Sequence, residues 1–174
     1  MNAKISLGVA LALSGAVLSG ATSAMAHEPI TAQTLIDRAE ITDLLTRYYN
    51  HFGPGTENHV ADYFTADAEM VMSADHFKGI EAIKDMYRSV PANAPQRTAY
   101  GLNIVMGNPL IVINGDTATA RMTFTEFMVD NAGDKPRVHG VGREFDWLVK
   151  QDGKWLLKKR QIMDSHGIPE GWTD

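Results

Sequence analysis

Residues Gly142–Asp164 read GREFDWLVKQDGKWLLKKRQIMD, a β-hairpin written in sequence. Alternating residues run from Arg143 to Val149, a polar turn stands at Gln151-Asp152-Gly153, and alternation resumes from Lys154 to Met163. A period of two marks a strand with two different faces. Asp-Gly between two such runs is a hairpin turn. The strands carry the charges Glu144, Asp146, Arg160 and Asp164 beside Phe145, Trp147, Trp155 and Leu157. Such a sheet either has one wet face or lines a polar pocket. Pairing across the turn sets Asp146 near Lys158 and diagonal to Arg160. Phe145, Trp147, Trp155, Leu157 and Met163 then share an apolar face, while Leu148, Leu156 and Ile162 share the other with charges. If the mixed face lines a pocket, Asp146 and Arg160 form an ion pair able to hold an anionic or phenolic group. If it faces water, the pair is worth ~0–1 kcal/mol. Arg143 falls on the apolar set, at an oligomer interface or a strand edge.

Upstream of the hairpin the chain stays β. Thr98–Met106 and Leu110–Ile113 read as one long strand kinked at Gly107-Asn108-Pro109. Asn114-Gly115-Asp116 is a hairpin turn, Thr117–Val129 the next strand, and Asn131-Ala132-Gly133-Asp134 another turn. The first half is mostly helical. Leu35, Ile36, Ile41, Leu44, Leu45, Tyr48 and Phe52 follow helical spacing from Thr34, and Gly53-Pro54-Gly55 ends that helix. Val60, Tyr63 and Phe64 suggest a short second helix, Ala68–Met72 a strand, and Gly79–Val90 a third helix. Helices first and long strands afterwards predict an α+β fold, with the helices on one face of a curved antiparallel sheet.

The N-terminus reads as a targeting segment. Lys4 precedes an apolar, small-residue run over Ile5–Gly20, and Ala24-Met25-Ala26 fits an A-x-A cleavage site. The interruptions by Ser and Gly favour a cleaved signal peptide over an anchor, which needs about 20 predominantly apolar residues. The expectation is a signal peptide over 1–26, a leader over 27–33, one domain over 34–165 and a tail over 166–174, acting in the periplasm or outside the cell. No later segment is long and apolar enough to span a membrane. The 174 residues carry 16 Lys+Arg against 21 Asp+Glu and no cysteine. Loss of Lys4 leaves a net charge of about −6. Thiol chemistry is excluded, and an acidic chain without a basic cluster beyond Lys158-Lys159-Arg160 argues against nucleic-acid binding.

Five pieces in this order resemble the SnoaL-like branch of the nuclear transport factor two-like superfamily. They are Arg47-Tyr48; Tyr63-Phe64-Thr65-Ala66-Asp67-Ala68; Gly79-Ile80-Glu81-Ala82-Ile83; Asn108-Pro109-Leu110-Ile111 with Asn114-Gly115-Asp116-Thr117-Ala118; and the hairpin. The resemblance implies a cystatin-like cone, a bent sheet around helices with an internal apolar pocket. It implies acid–base chemistry without a metal or organic cofactor, as in dehydratases, isomerases, polyketide cyclases and lyases of lignin-derived aromatics. Fold alone does not settle function, and many members only bind. The chain departs from the pattern at its bases. The dehydratase-like Asp falls at Gly53, and the dehydratase-like His falls near Ala99, Asn103 or Ile104. The isomerase-like Asp falls at Met72. The isomerase's phenolic donor matches at Tyr48.

The candidates follow. Tyr48, with Tyr49 one step round the helix, is either a core tyrosine or a donor to a developing oxyanion. His51 and His59 flank the Gly-Pro-Gly break and are either solvated or a replacement base. Tyr100 and Asn103 stand where relatives keep a His and can polarise a substrate oxygen. Glu126, between Phe124, Phe127 and Met128, is a solvent-facing strand residue or a buried acid. His139 faces pocket or water, and His166 follows the last strand in a Ser-His-Gly segment. Met72 belongs to nine methionines suited to an adaptable lining or an ordinary core. No His-x-His or His-Glu-x-x-His pattern points to a metal. The expected activity is a lyase, dehydratase or isomerase of a small apolar, aromatic substrate such as a lignin-derived diol, in a homodimer or homotrimer. Asp146 and Arg160 would anchor charge. The alternative is a binding protein without catalysis.

Overall fold

A computed structural model describes residues 29–91, 93–94, 101–164 and 167–172. The proposed signal peptide, Tyr100 and His166 therefore lie outside the described residues.

Helix α1 spans Ala32–Asn50. Thr31 and Thr34 close a reciprocal cap at its start, with Thr34 N donating to Thr31 Oγ1 at 3.1 Å and Thr31 N to Thr34 Oγ1 at 2.9 Å. Its buried stripe is Asp37, Ile41, Leu44, Leu45 and Tyr48. Leu35 and Ile36, expected on that stripe, are about half exposed. The stripe starts instead at Asp37, because its carboxyl accepts from Lys150 Nζ at 2.7 Å and from Trp155 Nε1 at 3.1 Å. After the glycine break, a single 3-10 turn (Thr56–Asn58) and a short helix α2 (Val60–Tyr63) lead into strand β1 (Phe64–Met72). A strand absent from the sequence reading, β2 (Asp75–Lys78), folds back on β1. Helix α3 covers Ile80–Ser89, and strands β3 (Leu102–Asn114), β4 (Thr117–Met128), β5 (Arg137–Gln151) and β6 (Lys154–Met163) follow.

The strands form one six-stranded sheet in the order β2-β1-β6-β5-β4-β3. Neighbours are antiparallel except β1 and β6, which run parallel. Four register shifts interrupt the strands: between Phe64 and Glu69 on β1, at Gly107–Leu110 on β3, at His139 on β5 and at Lys158 on β6. Each inserts residues without direct partners and bends its strand, so the sheet curves without closing. Helix α1 lies against β3 and β6, and α3 against β1. The core joins Ile41, Leu45 and Tyr48 of α1 to Ile83, Met70, Ile111, Met122, Leu148 and Leu157.

The hairpin corrects the expected parity. Leu148 pairs with Leu157, but Trp147 pairs with Lys159 and Asp146 directly with Arg160, leaving Lys158 as the extra residue. An inserted residue moves every side chain beyond it to the opposite face. Trp155 and Leu157 therefore join Leu148, Asp146, Glu144 and Arg160 in the interior. Phe145 and Trp147 turn to the other side of the sheet, where Trp172 packs edge-on against both rings at 4.9 and 5.0 Å.

Candidate active site

The concave face of the sheet and the ends of α1 and α3 enclose a pocket of about 290 Å3. Its apolar wall includes Phe52, Met72, Met86, Val90, Leu102, Ile104, Phe124 and Ile162. Its polar groups are Tyr48, Tyr49, Tyr87, Glu126, His139 and Glu144. A second hollow of about 300 Å3 lies beyond Tyr49 and Ile104. The threonines there, Thr42 and Thr46, donate to carbonyls of their own helix, and no charged group lines it. The chemistry is concentrated in the first pocket.

Three charged side chains lie beneath that pocket with no exposed surface: Glu144, Asp146 and Arg160. Arg160 Nε donates to Asp146 Oδ1 at 2.8 Å and Nη2 to Asp146 Oδ2 at 3.1 Å, a two-pronged pair. Nη2 also stands 2.9 Å from Glu144 Oε1, but not in line for a hydrogen bond. The guanidinium lies 4.2 Å from the centre of the Tyr48 ring, within cation–π range. One cation thus faces two carboxyl groups. Burial pushes the Glu144 carboxyl up from 4.5 to about 8; Arg160 opposes that rise and Asp146 adds to it.

The helix ends supply hydroxyls. Tyr49 Oη donates to Glu144 Oε2, and the hydroxyls of Tyr48 and Tyr87 bond one another. Burial raises all three phenols above their usual range, so they stay neutral donors. Glu144 Oε1 has no hydrogen-bond partner among the described residues. The site therefore holds one carboxyl raised to about 8, between a buried guanidinium and neutral phenols. That combination suits proton transfer next to a polarised oxygen.

Of the residues singled out in the sequence, Tyr48, Tyr49, Met72, Glu126 and His139 line this pocket. Asp146 and Arg160 support it from beneath. His139 is the residue inserted at the β5 register shift, and that bulge brings it to the pocket beside Gly140. His51 lies elsewhere: it is exposed, bonds Tyr63 Oη through Nδ1 and stacks on His59 at 4.3 Å. Asn103 is exposed and alternates with pocket-lining Leu102 and Ile104, which puts it on the opposite face of the sheet. Glu144 and Tyr87 are the polar groups that sequence reasoning left out of the site. Glu144 shares its parity with Asp146, and that spacing was the available signal. Among the described residues no three His, Asp or Glu side chains converge as metal ligands.

A family model described as a SnoaL-like domain matches residues 33–161. No curated protein matches the sequence closely enough to count as a relative. Solved structures do. An NTF2-like protein with a cystatin-like fold from Novosphingobium aromaticivorans superposes with a TM-score of 0.68 at 24% identity, over 78% of this chain and 86% of its own. A protein of unknown function with a cystatin-like fold from Nostoc punctiforme gives 0.64 at 25% identity, over 82% and 98%. A proposed scytalone dehydratase from Novosphingobium aromaticivorans gives 0.63 at 20% identity, over 83% and 100%.

Proposed function

The chain belongs to the SnoaL-like domain family, whose fold serves dehydratases, isomerases and cyclases, and on that premise we propose an acid–base lyase or isomerase with Glu144 as its proton carrier. The observation that carries this reading is the Glu144 carboxyl, fully buried at the pocket and raised to about 8, with Oε2 bonded to Tyr49 and Oε1 2.9 Å from Arg160 Nη2. In ionised form Glu144 takes a proton from the carbon next to a substrate carbonyl. A neutral phenol, Tyr48 or Tyr87, donates to the carbonyl oxygen as negative charge develops there. The carboxyl then returns the proton, either to a departing hydroxyl, so that water leaves, or to a carbon further along, which moves the double bond. Tyr49 holds Glu144 in place, and the Asp146–Arg160 pair supports it from below. The substrate class is a small apolar, ring-bearing carbonyl or alcohol.

A suitable probe is 3-hydroxy-1-tetralone, whose loss of water yields 1-naphthol, read by its fluorescence. Turnover should rise as pH climbs toward about 8 and then level, because the working form of Glu144 is the carboxylate. Glu144→Gln should lower kcat by ~10²–10⁴-fold, and Tyr48→Phe by about 10²-fold. An unchanged rate in Glu144→Gln sinks the mechanism. Saturable binding without turnover in the unaltered protein favours the non-catalytic reading instead. We also propose that residues 1–26 are removed on export. Mass spectrometry of the exported protein should find a chain starting at His27, and an intact start at Met1 rejects this.

A further inference from the structure

The mouth of the pocket is shaped by two glycines on β5. Gly140 pairs with Glu126 and Gly142 with Phe124. A Cβ on Gly140 would stand 2.8 Å from Glu126 Oε2, closer than side chains pack. A Cβ on Gly142 would stand 2.3 Å from the Met163 carbonyl oxygen and 2.6 Å from the Phe124 ring. The missing side chains are seats: the Phe124 ring and the Glu126 carboxyl reach across β5 over Gly142 and Gly140, and Gly140 follows His139 in the chain. Gly140 and Glu144 are four residues apart on the same strand, about 13 Å at ~3.3 Å per residue. The apolar cavity thus has a polar group at each end. Glu144 and the phenols form the deep end, while Glu126 and His139 form the mouth. Among the described residues, no Lys or Arg lines the pocket, and the buried Arg160 guanidinium is engaged by Asp146 and Glu144.

We propose that the pocket selects an uncharged, two-headed ligand: an apolar ring system with an oxygen acceptor at the Glu144 end and a hydrogen-bond donor at the Glu126 end. This rests on the pocket reading above and narrows its substrate class. An acceptor oxygen finds the neutral phenols. A donor such as a hydroxyl finds the Glu126 carboxyl, which otherwise loses hydration on ligand entry without a replacement partner. An anion at the mouth meets the Glu126 carboxyl, and no Lys or Arg is among the described lining residues to offset it. Gly140 acts as a positioning residue through the seat it leaves for Glu126.

Calorimetric titration of three naphthalenes at about pH 6.5, where hydroxyl and ketone are neutral and a carboxylic acid is ionised, tests this. The probes are 6-hydroxy-2-acetylnaphthalene, its parent 2-acetylnaphthalene, and 6-acetyl-2-naphthoate. The hydroxy ketone should bind about tenfold tighter than the parent, and the carboxylate at least tenfold weaker than the parent. Glu126→Leu should abolish the preference for the hydroxy ketone, with the parent binding more tightly because no carboxyl is left to lose its hydration. Gly140→Ala should shrink the same ratio by pushing the carboxyl off its seat. Equal binding of hydroxy ketone and parent overturns the proposal. So does a carboxylate that binds tightest, or a preference that survives Glu126→Leu. Failure of all three probes to bind overturns the pocket reading on which the proposal stands.

Discussion

Glu144 is a fully buried carboxyl at the pocket, and its charge state is linked to stability. Its folded pKa, about 8, exceeds the ordinary 4.5 because burial penalises the anion. Between those values the folded chain holds a proton that the unfolded chain has lost, so stability falls as pH rises. The contribution is complete below about 4.5 and gone once pH passes about 8. Glu144→Gln keeps the shape without the titration. Melting curves should show the unaltered protein losing stability from about pH 5 to 8 more steeply than Glu144→Gln. Parallel curves would show that Glu144 does not titrate in that interval. The residue types at the site were legible in the sequence. The alternation of Glu144 with Asp146 placed both carboxyls on one strand face, and Tyr48 stood on the buried stripe of its helix. The placement of Glu144 against Tyr49, 95 residues earlier in the chain, was not legible, because no local pattern encodes which helix turn lies over which strand.

Elements were read correctly where their periods are uninterrupted, and misread where one residue breaks the count. Helices α1 and α3 and the long strands match the expectation to within a few residues. The hairpin's faces do not, because Lys158 is inserted opposite the Trp147–Leu148 step. Upstream of it, Phe145 and Trp147 take the side opposite to Trp155 and Leu157. Deleting Lys158 leaves Arg160 four positions from Trp155, so an unbroken alternation keeps both side chains on the interior face and preserves the Asp146–Arg160 pairing. The expected outcome is a variant that still unfolds cooperatively by circular dichroism. Loss of cooperative unfolding would show that the bend made by the bulge is itself required for the interior to form. The bulge at His139 works the other way: it gives the pocket a side chain that strict alternation would assign to the outer face. Strand β2 escaped detection for a simpler reason. Asp75–Lys78 is four residues long, with three exposed, and so carries no hydrophobic period.

On the scale of the whole molecule, helix α1 is tied to the sheet by a contact between distant parts of the chain. Asp37, buried in the first turns of α1, accepts from Lys150 on β5 and Trp155 on β6. The hydrogen bond from Lys150 holds the Asp37 carboxyl below the usual carboxylate range. A depressed pKa contributes stability above the ordinary carboxylate titration, and that contribution is lost as pH falls through the folded value. Asp37→Ala should lower Tm by a few degrees at neutral pH, because it strips the acceptor from two partly or fully buried donors. The gap between variant and unaltered protein should close in acid, where the aspartate is protonated in both states. A gap that stays constant with pH would assign the effect to packing alone. By itself, the sequence determined the α+β class, the order of the elements other than β2, the family and most of the polar residues now at the pocket, because periodicity, turn chemistry and short motifs are local properties. Tertiary structure alone decided which carboxyl is buried at the pocket with a raised pKa, which groups Arg160 faces, and that His51 and Asn103 stand apart from the pocket. Those outcomes depend on register shifts and on burial, and both are set by contacts between residues far apart in the chain.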